Sequence, residues 1–257
     1  MITFHSIVRG FEGEFDHIQR NAIKSWQRLG PDVEVVLFGS AEPGAVETAT
    51  ELRCPIYPVE RNHRDIPLVA YPIRRTAEVA SHDIRCLINA DVILLKDFAW
   101  CVQQVAQVFD QFLLVTQRYG LKVNGELAFG ENWDFNLLME VRRRGHAKHR
   151  KAIDYFAYRG EFWEPIPPFA VGRTSWDNWL IWKALEEGVP VIDASPCSVC
   201  VHQEHAKRRV SAETNENRAM FVDAVGAEAF DGIHVCGLDD ATHYLTEQGV
   251  IEKLSHW

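Results

Sequence analysis

Through the first half of the chain, short apolar or β-branched runs alternate with segments whose apolar residues recur at helical spacing. This alternation constrains the fold more than any other feature, because strand–helix–strand units pack as a parallel sheet covered on both faces. Thr3–Val8 predicts the first strand. Asp16–Leu29 then places Ile18, Ala22, Ile23, Trp26 and Leu29 on one helical stripe. Asp16 and Gln19 read as a capping pair at its start, and Gly30-Pro31 stops it. "VEVVLF" (Val33–Phe38) is a second strand closed by Gly39-Ser40, and Pro55–Val59 a short third. Tyr71–Ala80 reads as a helix with Pro72 tolerated in its first turn. Arg85–Ile88, Asp97–Asp110 and Phe112–Thr116 continue as strand, helix and strand. The expected fold class is α/β, with a mostly parallel, doubly wound sheet and helices on both faces.

A core for such a sheet is available, since 47% of the 257 residues are hydrophobic. No apolar run reaches membrane-spanning length, and "MITFHSIVRG" lacks the long apolar region of a signal peptide. Six cysteines without a secretory segment point to reduced thiols and a cytoplasmic location. A net charge of −9 counts against nucleic acid as a partner.

The apolar run "CLINADVILL" (Cys86–Leu95) is broken by Asn89 and Asp91. A carboxylate in such a run needs a cation, a donor or water beside it. Ligands of open α/β sheets bind beyond the carboxyl ends of the strands, which is where this triplet falls. Two side chains two residues apart around a tight turn can offer oxygens to one hard cation such as magnesium or manganese. The competing reading is a turn in which Asn and Asp cap the next segment.

A second informative stretch runs from Val171 to His205. Thr174–Glu187 reads as a helix stopped by Gly188, followed by a strand at Val189–Asp193. Its first turn holds Trp176, Asp177 and Asn178. An acid there suits the helix dipole, which favours its ionised form. A later β-like run ends at His202, with Cys200 and His202 on one face by alternation.

This order of elements resembles the nucleotide-sugar-dependent glycosyltransferases of the GT-A fold. The resemblance rests on "NAD" (Asn89-Ala90-Asp91), "WDNWLIWKALEEG" and "VCVHQEH", and covers roughly residues 2–205. It implies a Rossmann-like GT-A core over residues 1–205, with a nucleotide-sugar half at 1–118 and an acceptor and catalytic half at 119–205. Residues 206–257 then form a helical segment packed on that core. The family's D-x-D-like triplet holds a divalent metal on the sugar-nucleotide diphosphate, which here implies Asn89 and Asp91 at the donor. His202, with His205 as substitute, completes a metal site with Asp91. Asp177 matches the acidic helix-start position and takes the role of catalytic base in an inverting transfer to an acceptor hydroxyl. Two departures stand out: Asn replaces the first Asp of the triplet, and Trp176 stands where a Glu is common. "PCSVCVH" also resembles retaining members.

Other candidates follow from the same placement. Arg9, Phe38, Gly39 and Arg75 are expected at the nucleotide sugar, with Arg74 equally available and Arg118 a further choice. Trp163 and Trp176 are candidate platforms for an acceptor sugar, since pyranose faces pack on aromatic rings. The basic run "VRRRGHAKHRK" (Val141–Lys151), with six Arg and Lys residues, reads first as a solvated face and alternatively as contact with an acidic acceptor. Cys197 and Cys200 with the two histidines make a minor zinc alternative. Rival functions are an inactive sugar-nucleotide-binding module and a metal-dependent nucleotidyltransferase.

Overall fold

The computed structural model describes residues 1–206, 214–226 and 236–254. The chain begins β1 (Ile2–Ile7), α1 (Glu14–Trp26), β2 (Val33–Phe38), α2 (Ala45–Glu51), β3 (Ile56–Tyr57), α3 (Ala70–Val79) and β4 (Ile84–Ile88). It continues through β5 (Val92–Leu94), α4 (Asp97–Val108), β6 (Phe112–Val115), β7 (Arg118–Leu121), α5 (Trp133–Arg144), β8 (His146–Ala147) and β9 (Tyr155–Arg159). Then come α6 (Trp176–Glu186), β10 (Val191–Asp193), β11 (Cys200–Gln203), α7 (Thr214–Val225), β12 (His243–Thr246) and β13 (Gly249–Glu252).

Nine strands form one sheet in the order β13-β12-β10-β6-β9-β4-β1-β2-β3. The pairs β1–β2, β1–β4, β2–β3, β6–β10 and β10–β12 are parallel. β9 is inserted antiparallel between β4 and β6, and the β12–β13 hairpin closes one edge. Side chains alternate across this sheet, so neighbouring residues feed two cores. Phe4, Val35, Cys86 and Leu114 pack under α1 and α4 through Trp26, Phe98 and Val105. Leu87, Leu113, Val115 and Phe156 pack on the other face under α3 and α6 through Ile73, Trp179 and Leu180. Helices therefore cover both faces, as the sequence predicts.

A second sheet, β5-β11-β7-β8, leaves the carboxyl end of β4 and packs on α5 through Ile93, Leu121, Leu137 and Val201. It places β11 antiparallel to β5, with His202 opposite Val92, and parallel to β7, with His202 beside Gly120. The β4–β5 turn is thus shared by the two sheets, and what it carries faces β11.

Two local expectations are corrected. No side chain caps α1, which starts after Gly13 in the left-handed region (φ +56°). Gln19 instead accepts from the Arg9 backbone N–H (2.9 Å) and donates to its carbonyl (3.1 Å), while Asp16 pairs with Arg20 (2.7 Å). The 239–254 stretch is not helical: it forms a turn at Leu238–Asp240 and then the β12–β13 hairpin, joining the sheet edge. Its alternation suits strands, and Gly249 in the left-handed region (φ +117°) begins β13 at the tight turn. Of the helical segment expected over 206–257, a helix is observed at Thr214–Val225; residues 207–213, 227–235 and 255–257 lie outside the described part. Among the described residues no helix is long and apolar enough to cross a membrane.

Candidate active site

The site grows from the turn after β4. Val92 N–H donates to the Asn89 carbonyl (3.1 Å), closing the turn that carries Asn89, Ala90 and Asp91. Ser6 holds the Ile88 carbonyl (2.6 Å) and Trp26 donates its indole N–H to the Val92 carbonyl (2.9 Å). Gln203, fully buried, grips the Asp91 carbonyl through its backbone N–H (3.0 Å) and side-chain amide (3.2 Å). Asn21, also buried, donates to Gln203 in turn (3.1 Å). The Asp91 backbone is therefore fixed from two elements, which aims its carboxylate at β11.

Asp91, His202 and His205 converge, each offering one ligand atom, and these atoms lie within 4.8 Å of one another. His205 Nε2 lies 3.1 Å from Asp91 Oδ2, and His202 Nδ1 lies 3.5 Å from Asp91 Oδ1. Asp91 Oδ1 is sealed from solvent without a hydrogen bond. Burial alone would raise the Asp91 carboxyl, but His202 and His205 beside it hold it well below the usual carboxylate range. Burial likewise opposes protonation of His202, yet Asp154 and Asp91 hold its pKa well above that of a free histidine. The hydrogen bond that His205 donates to Asp91 raises its pKa too. Both histidines, left open as alternatives by the sequence, sit at Asp91.

Asn89 is tied to Asp154 through both its side chain and its backbone. Its side-chain amide donates to Asp154 (3.0 Å), and its backbone N–H donates to the Asp154 carbonyl (3.0 Å). Asp154 also accepts from Arg118 through both oxygens (2.6 and 2.7 Å) and contacts His202 Nδ1 (3.1 Å). Sequence reading missed Asp154 entirely. Its partners lie 65, 36 and 48 positions away, so no local pattern marks it.

Asp177 stands in the first turn of α6, preceded by Ser175 in the left-handed region (φ +83°). Its Oδ1 is buried with no hydrogen-bond partner. Burial pushes its pKa up to about 7, with Asp154 adding to the rise and backbone N–H groups and Arg118 opposing it. The helix dipole alone would favour the ionised form, as the sequence suggested; desolvation outweighs it here. Asp134, a further acid in the first turn of α5, lies 3.5 Å from Lys96.

The remaining candidates divide. The Arg9 guanidinium stacks 3.6 Å from the Phe15 ring centroid, and Phe15 meets His205 edge-on at 4.9 Å, so Arg9 flanks the Asp91 cluster. Phe38 is fully buried beneath Tyr57 and Tyr71 (5.9 and 6.1 Å), so it offers no ring to a nucleotide. Gly39 has φ +121°, and a Cβ there would meet the Val8 carbonyl at 2.8 Å; its role is to let β2 leave the sheet beside β1. Arg75 pairs with Glu78 (2.5 Å) and lies 5.1 Å over Tyr57, beside an open hollow of about 440 Å³. Arg74 lines the same hollow and pairs with Glu164 (2.8 Å). Trp163 is 3% exposed and donates its indole N–H to the Leu180 carbonyl (2.9 Å), and Trp176 is buried against Phe156 (5.6 Å). Both rings are core, which corrects the expectation of a sugar platform. Cys200 is buried in the main core and Cys197 donates to the Leu245 carbonyl (3.4 Å), so the zinc alternative is not assembled. The basic run is largely paired, through Glu140, Glu204, Asp193 and Asp239.

The order of the central sheet, the split turn after β4 and the Asp91 cluster at its carboxyl end define a chain with the GT-A glycosyltransferase fold. No family model matches the chain, and no curated protein does. Among solved structures it is similar to the glucosyl-3-phosphoglycerate synthase of M. tuberculosis, at a TM-score of 0.53 and 16% identity, over 87% of this chain and 80% of that one. It is also similar to a mannosyltransferase from Pyrobaculum calidifontis in complex with GDP-Man and Mn2+, at 0.52 and 16%, covering 90% of this chain and 64% of that one. A third is S. aureus TarS 1-349, at 0.52 and 9%, covering 87% of this chain and 65% of that one. The chain thus spans about two thirds of the length of the last two.

Proposed function

We propose that the protein is a metal-dependent glycosyltransferase that moves a sugar from a nucleoside-diphosphate sugar to an acceptor hydroxyl. The observation that carries this reading is the convergence of Asp91, His202 and His205 at the carboxyl end of β4. Such a position in an open α/β sheet is where ligands bind. One carboxylate and two imidazoles suit a divalent cation such as manganese, and Asp91 Oδ1 is buried with no hydrogen bond to occupy it. A cation held there supplies charge neutralisation for the departing diphosphate. Fold neighbours have been seen in complex with UDP and with GDP-Man and Mn2+, which supports a nucleotide-sugar donor here.

Arg9, just after β1, and Arg75, in α3, are the cations proposed to bind the donor. Asn89 fixes the turn through Asp154 rather than touching the metal. Asp177 acts as the base: it takes the acceptor proton as the new glycosidic bond forms, with inversion at the sugar carbon. A base works best with a pKa near the working pH, and a carboxyl raised to about 7 meets that condition. The six cysteines, all free thiols, fit a reducing cytoplasm.

Calorimetric titration with UDP and GDP, with and without EDTA, tests the metal assignment. Chelation should weaken nucleotide binding sharply, and manganese or magnesium should restore it. Equal binding of every nucleotide with and without EDTA would remove the metal from the account while leaving the fold untouched.

A further inference from the structure

We propose that Asp154 is a positioning residue: it holds His202 in place beside Asp91 and His205, and Arg118 holds Asp154. The proposal rests on the metal reading above. Asp154 is 3% exposed, and each of its oxygens is claimed. Oδ1 accepts from Asn89 Nδ2 (3.0 Å) and from Arg118 Nη1 (2.6 Å); Oδ2 accepts from Arg118 Nη1 (2.7 Å) and meets His202 Nδ1 (3.1 Å). A carboxylate engaged in this way is poorly placed to be a ligand itself. Asp91 differs, since its Oδ1 has no hydrogen bond at all.

The backbone joins the same arrangement. The Asp154 carbonyl accepts from Asn89 N–H (3.0 Å), so the segment before β9 is tied to the turn that carries Asp91. Asp154 therefore fixes both halves of the cluster, the turn by way of Asn89 and β11 by way of His202. Metal-bound histidines commonly give their second ring nitrogen to a carboxylate, which sets the ring orientation before a cation arrives; His202 Nδ1 meets Asp154 (3.1 Å), so Nε2 is the nitrogen left for the cation. Arg118 supplies the counter-charge without which a buried carboxylate would be strongly destabilising.

The test is calorimetric titration of the full chain with Mn2+ alone, in wild type, Asp154→Asn, Arg118→Lys and Asp193→Asn. Asp193 is an equally buried carboxylate (1% exposed), ion-paired to Arg150 (2.8 Å) outside the cluster, and so controls for general loosening. Asp154→Asn should weaken Mn2+ binding about 10–100-fold, and Arg118→Lys, whose shorter side chain draws its nitrogen back from the position Nη1 holds against both Asp154 oxygens, several-fold. Asp193→Asn should leave Mn2+ affinity unchanged, and residual nucleotide binding in EDTA should be the same in all four proteins. If Asp154→Asn does not fold, Arg118→Lys alone decides. Wild-type Mn2+ affinity in a folded variant at either position overturns the positioning role. A wild-type protein that binds no Mn2+ overturns the metal reading itself, and so distinguishes the two failures.

Discussion

Asp177→Asn is expected to lower transfer by about 10²–10⁴-fold while leaving nucleotide binding intact, because it removes a general base and keeps the side chain's size. The same substitution should not destabilise the protein. Asp177 is raised from 3.8 to about 7, so the folded chain keeps a proton between those values that the unfolded chain releases. Stability therefore falls as pH rises through that window, and the penalty is complete above about 7. Asn carries no such penalty. The melting temperature of Asp177→Asn should match or exceed wild type at pH 8, with the margin shrinking toward pH 4. The wild-type kcat/KM should rise with pH and level off above about 7, as the base becomes ionised. Transfer at the wild-type rate by Asp177→Asn, with an unchanged pH profile, would refute the base role.

Asp91→Asn carries the second large effect. The substitution keeps the side chain's size but removes the one negative charge that faces both His202 and His205. Metal stabilisation of a departing diphosphate is worth several kcal/mol, so donor turnover should fall by about 10²-fold or more. EDTA should lower the wild-type rate to a similar level and have no further effect on the variant, since both remove one interaction. An Asp91→Asn protein still inhibited by EDTA to the wild-type degree would place the metal elsewhere.

Much of the fold was readable because its signals are local. β-branched runs and helical stripes marked β1, α1, β2, α3, β4 and α4, since each buries one face in a core beside it. β9 escaped detection: "YFAYR" lies between its antiparallel neighbours β4 and β6, and nothing in its own residues announces that insertion. Asp91 and Asp177 were legible as acids at the ends of apolar segments. Asp154 and Gln203 were not, because their partners come from elements distant in sequence and a buried polar residue is explained only by what it meets. Trp163 and Phe38 misled for the opposite reason. A large aromatic suits a ligand platform and a core equally well until burial is known, and both are core here.

The most direct measurement incubates the protein with Mn2+ and a panel of nucleoside-diphosphate sugars, following free nucleoside diphosphate and sugar. Water stands in for the acceptor where none is known. The account predicts slow release of nucleoside diphosphate from at least one donor, abolished by EDTA. Tight donor binding without any turnover, or pyrophosphate release from a nucleoside triphosphate, would contradict it.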